Sequence, residues 1–458
     1  MQKIPFLIAG NLKTGTECKM NFNFNYHGGK IEVGLPEISE SDIELMKNVE
    51  KESVHNLNTN EIIDFLVKVG KLWNSKTYDK REELVDLTCK ITGYSRPMIE
   101  LGMQQIQGMF SKEFLEITLK NELGDKRLLD EWLPRGEALV HCQPRGHVLH
   151  ILAGNVPAVS VMSMIRGILT KNCNILKMSS RDVITTSYFT QSFMDVDPEH
   201  PITKTTSTIY WSIENEHIMD KFLSFVNCVC TWGGREAVEG IRKKAPHEVE
   251  LLEFGPRRGV QLIGKEAFKN LKDVTDKAAH DLTLFDQEAC FSPQLVFVEE
   301  DAERYAKYFA ESLKEENEKL PKGFSSIDAN AIVSHTRVYS KFKGHKVIHP
   351  EKTDWTVILV NNIKDLPNPH PLGRTIFLIP VKDINESLKY ISSETQVVAV
   401  EPFSRGIELR DELTIRGVDR VTHMGKMGYF AVGAPHDGMY PLSRMVRWVK
   451  SRENYSKL

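Results

Sequence analysis

Apolar residues recur along the chain in two rhythms. From Asn58 to about residue 130 the spacing is helical: Ile62, Phe65, Leu66, Val69, Leu72 and Trp73 share one face, and Asn58 with Glu61 three places later forms a capping-box pattern ahead of them. This predicts a helical region packed on a sheet. From residue 146 the rhythm changes to short apolar runs parted by helical spans. Residues 146–152, 174–177, 208–211 and 226–232 read as strands, and 156–169, 183–194 and the stretch opening at Arg235 as helices. Strands alternating with helices imply βαβ units and a mainly parallel sheet. A second series begins at 260–263 and resumes at 294–298. Residues 1–57 show strand-like alternation, as in Lys30-Ile31-Glu32-Val33, and read as a peripheral strand-rich segment. We find no internal repeat, low-complexity linker or long charge run that would tether one series loosely to the other.

At 458 residues the chain exceeds one ordinary core, and about 100–200 residues per domain predicts two or three packed units. A hydrophobic fraction of 41% and a charged fraction of 26% are those of a globular protein. The 59 basic and 62 acidic residues are spread along the chain, leaving no basic stripe for phosphates, so nucleic acid is not an expected partner. The N-terminal MQKIPFLIAGNLKTG lacks the features of a secretory signal. No run approaches the roughly 18 apolar residues of a membrane span. Seven scattered cysteines, an odd number, argue against a disulfide framework, and a reducing cytoplasm is expected. Cys228 and Cys230 form C-x-C without a second pair or a histidine cluster, so no metal site is expected.

Four segments carry candidate chemistry. Cys290 stands in Asp286-Gln287-Glu288-Ala289-Cys290-Phe291-Ser292-Pro293-Gln294, between a helix that includes 277–283 and a strand starting near Gln294. An irregular turn there can present a thiol at a cleft, although a lone cysteine is more often a small core residue. An ordinary thiol is only a few per cent ionised at neutral pH, so nucleophilic catalysis would require a positive field or a base. Gly154-Asn155-Val156-Pro157 ends one strand and enters an apolar helix. The Asn155 amide can donate to an oxyanion there, or serve only as a turn residue. In Cys173-Asn174-Ile175-Leu176-Lys177-Met178-Ser179-Ser180-Arg181-Asp182, cations and hydroxyls lie just past a buried strand. That is where open α/β sheets bind ribose and phosphate, the alternative being a solvated loop. Gly233-Gly234 before Arg235 permits close backbone approach at a helix N-terminus that can face a phosphate.

Taken in order, these segments resemble the aldehyde dehydrogenase superfamily over roughly residues 59–440. Gln143-Pro144-Arg145-Gly146-His147-Val148 through Asn155-Val156-Pro157 is similar to its P-x-G-V strand and Asn turn, and Asn174-Ile175-Leu176-Lys177 to its V-V-L-K strand. Thr231-Trp232-Gly233-Gly234 is similar to its T-G-S phosphate turn, Leu252-Glu253-Phe254-Gly255 to its E-L-G-G segment, and Gln287-Glu288-Ala289-Cys290 to its Gln-x-x-Cys nucleophile segment. Within the superfamily the whole chain resembles the long-chain acyl-protein thioester reductases, or fatty-acid reductases, of bacterial luminescence systems. That likeness is carried by Met1-Gln2-Lys3-Ile4-Pro5-Phe6-Leu7-Ile8-Ala9-Gly10, Gly154-Asn155-Val156-Pro157, Cys290-Phe291-Ser292-Pro293-Gln294 and Gly433-Ala434-Pro435-His436-Asp437-Gly438-Met439. Two departures from ordinary aldehyde dehydrogenases stand out: Gly154-Asn155 replaces Trp-Asn, and Pro256 replaces the second glycine of E-L-G-G.

The resemblance implies an α/β fold of aldehyde dehydrogenase type, with a Rossmann-type cofactor domain, an α/β catalytic domain and peripheral strand-rich segments. We accordingly expect an N-terminal peripheral segment over 1–57, an NADP-binding domain over 58–255 and a catalytic domain over 256–420. The segment 421–458 then either returns to the cofactor domain or makes an oligomer contact. The implied activity is NADPH-dependent reduction of a long-chain acyl thioester to an aldehyde for luminescence. Cys290 would carry the acyl group, Asn155 would donate to the oxyanion, and Glu253 would be the candidate general base. Lys177, Ser180, Arg181, Gly233 and Gly234 would bind the cofactor. Ser180 stands where NAD-preferring relatives carry an acid, which favours NADPH. Implied partners are acyl-CoA or an acylated acyl-protein synthetase, a complex with synthetase and acyl-transferase subunits, and further copies of the chain. Two alternatives stay open: an NAD(P)-dependent aldehyde dehydrogenase running toward acid, and an acyl-transfer subunit without redox chemistry.

Overall fold

The helical rhythm beginning at Asn58 is realised as a helix over Thr59–Asn74. Its cap is the one the sequence predicts: the Asn60 N–H donates to the Asn58 side chain, and the Asn58 N–H donates to the Glu61 carboxylate. Ile62, Phe65, Leu66, Val69 and Trp73 are buried along its inner face. Trp73 stacks on Phe189 and donates from its indole to Ser192 at 3.0 Å, which fixes the helix against a second one over Thr185–Val196. These details come from a computed structural model that describes residues 1–14 and 20–452; Cys18 lies outside the described residues.

The chain divides into two units. The first comprises Met1–Thr92, Glu100–Gly255 and the chain from Ala431 onward; the second comprises Gly93–Ile99 and Pro256–Phe430. In the first, five strands form one parallel sheet: β1 (His147–Ile151), β2 (Cys173–Lys177), β3 (Thr206–Ile209), β4 (Cys228–Trp232) and β5 (Glu250–Phe254), in the order β3-β2-β1-β4-β5. Between consecutive strands run α1 (Pro157–Leu169), α2 (Thr185–Val196), α3 (Glu216–Leu223) and α4 (Arg235–Lys244). The first four strands are almost wholly buried, which is why they read as continuous apolar runs rather than alternations. The order reverses between β1 and β4, and such a switch point opens a crevice at the carboxyl ends of the strands.

Several boundaries differ by one or two residues from the sequence expectation, as at Cys228–Trp232, Thr185–Val196 and Arg258–Ile263, and one difference bears on the site. The strand expected at 208–211 runs instead over Thr206–Ile209, so Tyr210 and Trp211 lie just beyond its end. Residues 1–57 are strand-rich, with Gln2–Lys3, Met20–Tyr26 and Gly29–Leu35 in one small sheet. They are less peripheral than their polarity suggests: Phe6, Leu7 and Ile8 are buried, and the Ala9 N–H donates to the Ser207 hydroxyl on β3.

The second unit holds a seven-stranded sheet. Its strands are β6 (Arg258–Ile263), β7 (Pro293–Val298), β8 (Lys346–Ile348), β9 (Thr356–Leu359), β10 (Thr375–Pro380), β11 (Thr395–Glu401) and β12 (Arg420–His423), in the order β8-β9-β10-β7-β6-β11-β12. Only the β8–β9 pair is antiparallel. Val260, Leu262, Leu295, Phe297, Phe377 and Val398 lie at the heart of its core. Helix α5 (Leu271–Thr283) leads into the segment that carries Cys290. Among the described residues no helix is long and apolar enough to cross a membrane, and no three His, Cys, Asp or Glu side chains gather as a metal-ligand set.

Candidate active site

In the first unit, the candidate residues gather at the carboxyl ends of the parallel strands. The chain leaves β1 through Gly154 and Asn155 and leaves β2 through Lys177 and the loop holding Ser180 and Arg181. A Cβ on Gly154 would stand 2.7 Å from Arg181 Cβ and 2.8 Å from both the Asp182 backbone nitrogen and Ser179 Oγ. Only a glycine therefore lets the Asn turn lie against the loop after β2, and this accounts for the departure from a bulky residue at 154. The loop itself is tied down from within. Ser179 Oγ accepts from the Arg181 N–H, and Asp182 Oδ1 accepts from the Ile184 and Thr185 N–H groups at the start of α2. Ser180 and Arg181 are exposed.

Lys177 sits over two rings, its Nζ 5.2 Å from the centre of Tyr210 and 5.6 Å from that of Trp211. Burial alone pushes its pKa down to about 8. Tyr210 is in turn met edge-on by Phe22 of the N-terminal sheet at 5.1 Å. Past β4, Gly233 donates its N–H to the Phe254 carbonyl, and Gly234 caps α4 with extended backbone. Trp232 and Phe254 stack at 3.7 Å, with His436 edge-on to both. Glu253, on β5 opposite Thr231, is engaged by Arg242 of α4, whose Nε donates to Oε1 at 2.9 Å while the terminal nitrogen meets Oε2. As a general base, Glu253 would first have to leave that guanidinium.

Cys290 belongs to the second unit, on the turn between α5 and β7. Phe285, Asp286 and Gln287 all have positive φ, at 48°, 50° and 70°. Three left-handed non-glycine residues in succession persist only where surroundings over-determine them. Here Arg374, fully buried, donates through Nε to Asp286 Oδ1 at 2.8 Å and through a terminal nitrogen to Asn317 Oδ1 and the Leu320 carbonyl. Asp286 Oδ2 accepts from the Gly323 N–H. The Gln287 amide donates to the Pro293 and Thr375 carbonyls, and its oxygen accepts from the Thr375 N–H. The half-buried Cys290 sulfur then accepts from Gln396 Nε2 at 3.2 Å.

The model of the acyl-CoA reductase (LuxC) family matches residues 54–448. The chain belongs to that family. Its relatives include the long-chain acyl-protein thioester reductase of Vibrio harveyi, 33% identical over 99% of this chain and 94% of its own. That of Aliivibrio fischeri is 35% identical over 99% and 94%. Among solved structures, aldehyde dehydrogenase 21 of Physcomitrella patens superposes with a TM-score of 0.80 at 14% identity, covering 100% of this chain and 99% of its own. Glyceraldehyde-3-phosphate dehydrogenase GapN of Methanocaldococcus jannaschii, complexed with NADP, reaches 0.76 at 17%, covering 96% and 100%. At those identities the likeness is one of fold: this LuxC-family chain has the α/β aldehyde dehydrogenase architecture.

Sequence reasoning did not single out Gln396, Arg242, Arg374, or the aromatic pair Tyr210 and Trp211. Arg374 and Gln396 lie 88 and 106 residues from their partners on the Cys290 turn, so no local spacing could reveal them. Arg242 had a signal: it lies on the helix directly before the strand of Glu253.

Proposed function

We propose that this chain reduces a long-chain acyl thioester to the aldehyde through an acyl group carried on Cys290, with NADPH as the reductant. The observation that carries the proposal is the built turn beneath Cys290, where strained backbone, a buried Arg374–Asp286 pair and the Gln287 amide all serve to hold one thiol in place. Such preorganisation suits a nucleophile whose position must survive two chemical steps.

In the first step Cys290 Sγ attacks the thioester carbon, and collapse of the tetrahedral intermediate expels the donor thiolate, leaving an acyl-cysteine. Asn155, by its place in the family's Asn turn, is the proposed oxyanion donor. The cofactor, when bound, supplies a hydride to the acyl carbon. Cys290 then departs with the electrons of the C–S bond as the carbonyl of the aldehyde re-forms, which returns the thiolate. The residues present suit a reduced dinucleotide phosphate. Lys177 lies against the rings of Tyr210 and Trp211, Ser180 and Arg181 offer a hydroxyl and a cation, and Gly233-Gly234 leaves room at the start of α4. The acyl donor is acyl-CoA or an acylated synthetase subunit, within a complex that also holds an acyl-transferase subunit and further copies of this chain.

The oxidative alternative needs a base to activate water, and its candidate, Glu253, is occupied by Arg242. The test is to incubate the protein with radiolabelled acyl-CoA and map the label, then add NADPH and identify the product. Label should fall on the peptide spanning 286–294, vanish in Cys290→Ala, and be released as aldehyde. Full labelling of Cys290→Ala, or release as fatty acid alone, would overturn the proposal.

A further inference from the structure

Gln396 belongs to none of the segments that the family motifs mark, yet the sheet is deformed around it. Strand β6 pairs with β11 so that Arg258 faces Thr395 while the next residue, Gly259, faces Val397. Gln396 is therefore an extra residue, a bulge in β11. On its other side Gly259 faces Pro293 and Val260 faces Leu295, so Gln294 is a second bulge, in β7. Bulges re-aim side chains and recur beside active sites. Gly259 makes the pair possible, since a Cβ there would meet the Phe291 carbonyl oxygen and Met427 Cε at 2.3 Å.

The bulge delivers a side-chain amide to the sulfur. Gln396 is 2% exposed, and its Nε2 donates to Cys290 Sγ at 3.2 Å. Side-chain nitrogen donors to thioether sulfur, Gln261 to Met427 and Arg444 to Met439, stand farther off at 3.7 Å. What sets the Gln396 contact apart is its acceptor, a cysteine sulfur that can ionise. A thiolate is also a far better acceptor than a thiol or a thioester sulfur, and hydrogen bonds to charged groups are the stronger class.

We propose that Gln396 is a catalytic residue, an amide donor to the Cys290 sulfur that stabilises its thiolate form before acyl transfer and again as it leaves the carbon at aldehyde release. The proposal rests on Cys290 as the acyl carrier. In the acyl-enzyme the sulfur is a weak acceptor, so the contact strengthens as negative charge returns to sulfur in the C–S cleavage step. That is the differential interaction which accelerates a reaction.

The experiment measures alkylation of Cys290 by iodoacetamide across a pH range, by peptide mapping, alongside steady-state aldehyde formation. The variants are Gln396→Met, similar in length without the donor, and Gln396→Glu, isosteric with a carboxylate in its place. Other charges face this region: Asp286 with Arg374, Glu288 with Tyr94, and Arg258, 4.0 Å from Glu394. Burial pushes His370 down to about 3, so it stays neutral. These groups are common to wild type and variants, and the comparison removes them. Gln396→Met should slow alkylation at neutral pH about tenfold and displace its profile toward alkaline pH, Gln396→Glu more so. kcat should fall without a matching rise in the KM for acyl-CoA. Wild-type alkylation profiles in folded variants would overturn the proposal even if their melting temperatures fell, because that pattern is structural only. Absence of acyl label on wild-type Cys290 would instead overturn the acyl-carrier reading.

Discussion

Arg374 is the residue on which the Cys290 turn most depends. Its guanidinium is fully buried and holds Asp286, one of three consecutive residues of positive φ. Each such conformation costs on the order of 1–3 kcal/mol, so the turn stores strain that the ion pair and the Gln287 amide offset. Removing one partner of a buried pair leaves the other charge stranded, which typically costs about 3–5 kcal/mol. Arg374→Met should destabilise the protein by that order, read from urea denaturation, and slow Cys290 alkylation in the fraction that stays folded. A loss below about 1 kcal/mol would mean that the turn is held by Gln287 and the Gly323 N–H without the ion pair. The sequence shows Gln287 and Cys290 together as a Gln-x-x-Cys segment, but the reason for the glutamine is spatial: its amide bonds to both Pro293 and Thr375. Arg374 and Gln396 reach the turn only through sheet pairing, and their local sequence is that of any strand start.

At the scale of elements, the proposed cofactor site lies at the carboxyl ends of β1, β2 and β4. Ser180 and Arg181 are exposed at the end of β2, and Lys177 is clamped on Tyr210 and Trp211 behind them. Ser180→Glu would place a carboxylate toward the 2′-phosphate, and should raise the KM for NADPH about tenfold more than that for NADH, a modest ratio because solvent screens the site. The cationic form of Lys177 is the one that attracts phosphate. Affinity for NADPH should therefore fall as pH climbs through about 8, and Lys177→Met should flatten that dependence. Equal effects of Ser180→Glu on both cofactors, measured by fluorescence titration and steady-state kinetics, would remove this loop from the 2′ position. Most of these elements are legible in the sequence, because buried parallel strands read as apolar runs and the helix after Asn58 carries its own cap. The two-residue displacement of β3 is not. Tyr210 and Trp211 are more apolar than the Thr206-Ser207-Thr208 that the ladder uses, which draws the expected strand past its end, although they pack on Lys177 and Phe22 instead. The burial of Phe6–Ile8 likewise depends on β3, far along the chain, where the Ala9 N–H donates to Ser207.

At the scale of the whole molecule, the first unit closes with the C-terminal chain. Val446–Ser451 pairs antiparallel with Ala138–Pro144, Arg444 binds Glu250, and the Leu442 N–H donates to Glu122 at 2.6 Å. Of the stretch 421–458, residues up to Phe430 belong to the second unit, and the pairing of Val446–Ser451 lies in the first. Glu122 makes the closure sensitive to pH. Burial pushes its carboxyl up to about 7, against opposing effects from Arg166 at 4.0 Å and the Leu442 N–H. Burial lowers the pKa of Arg166 as well, so each partner is held less firmly in its charged form than in water. Between the ordinary value of 4.5 and about 7, the folded state holds a proton on Glu122 that the unfolded chain has released. Stability from this group is then greatest at or below the lower value and falls as pH rises through the window, by a total on the order of 3 kcal/mol. Glu122→Gln keeps an acceptor for the Leu442 N–H but cannot titrate. Its urea midpoint should change less between about pH 5 and about pH 7.5 than that of the wild type, whatever constant penalty the unpaired Arg166 imposes at both. Parallel pH dependences in the two proteins would show that Glu122 stays ionised across the window, and that its pair with Arg166 outweighs the cost of burying its charge.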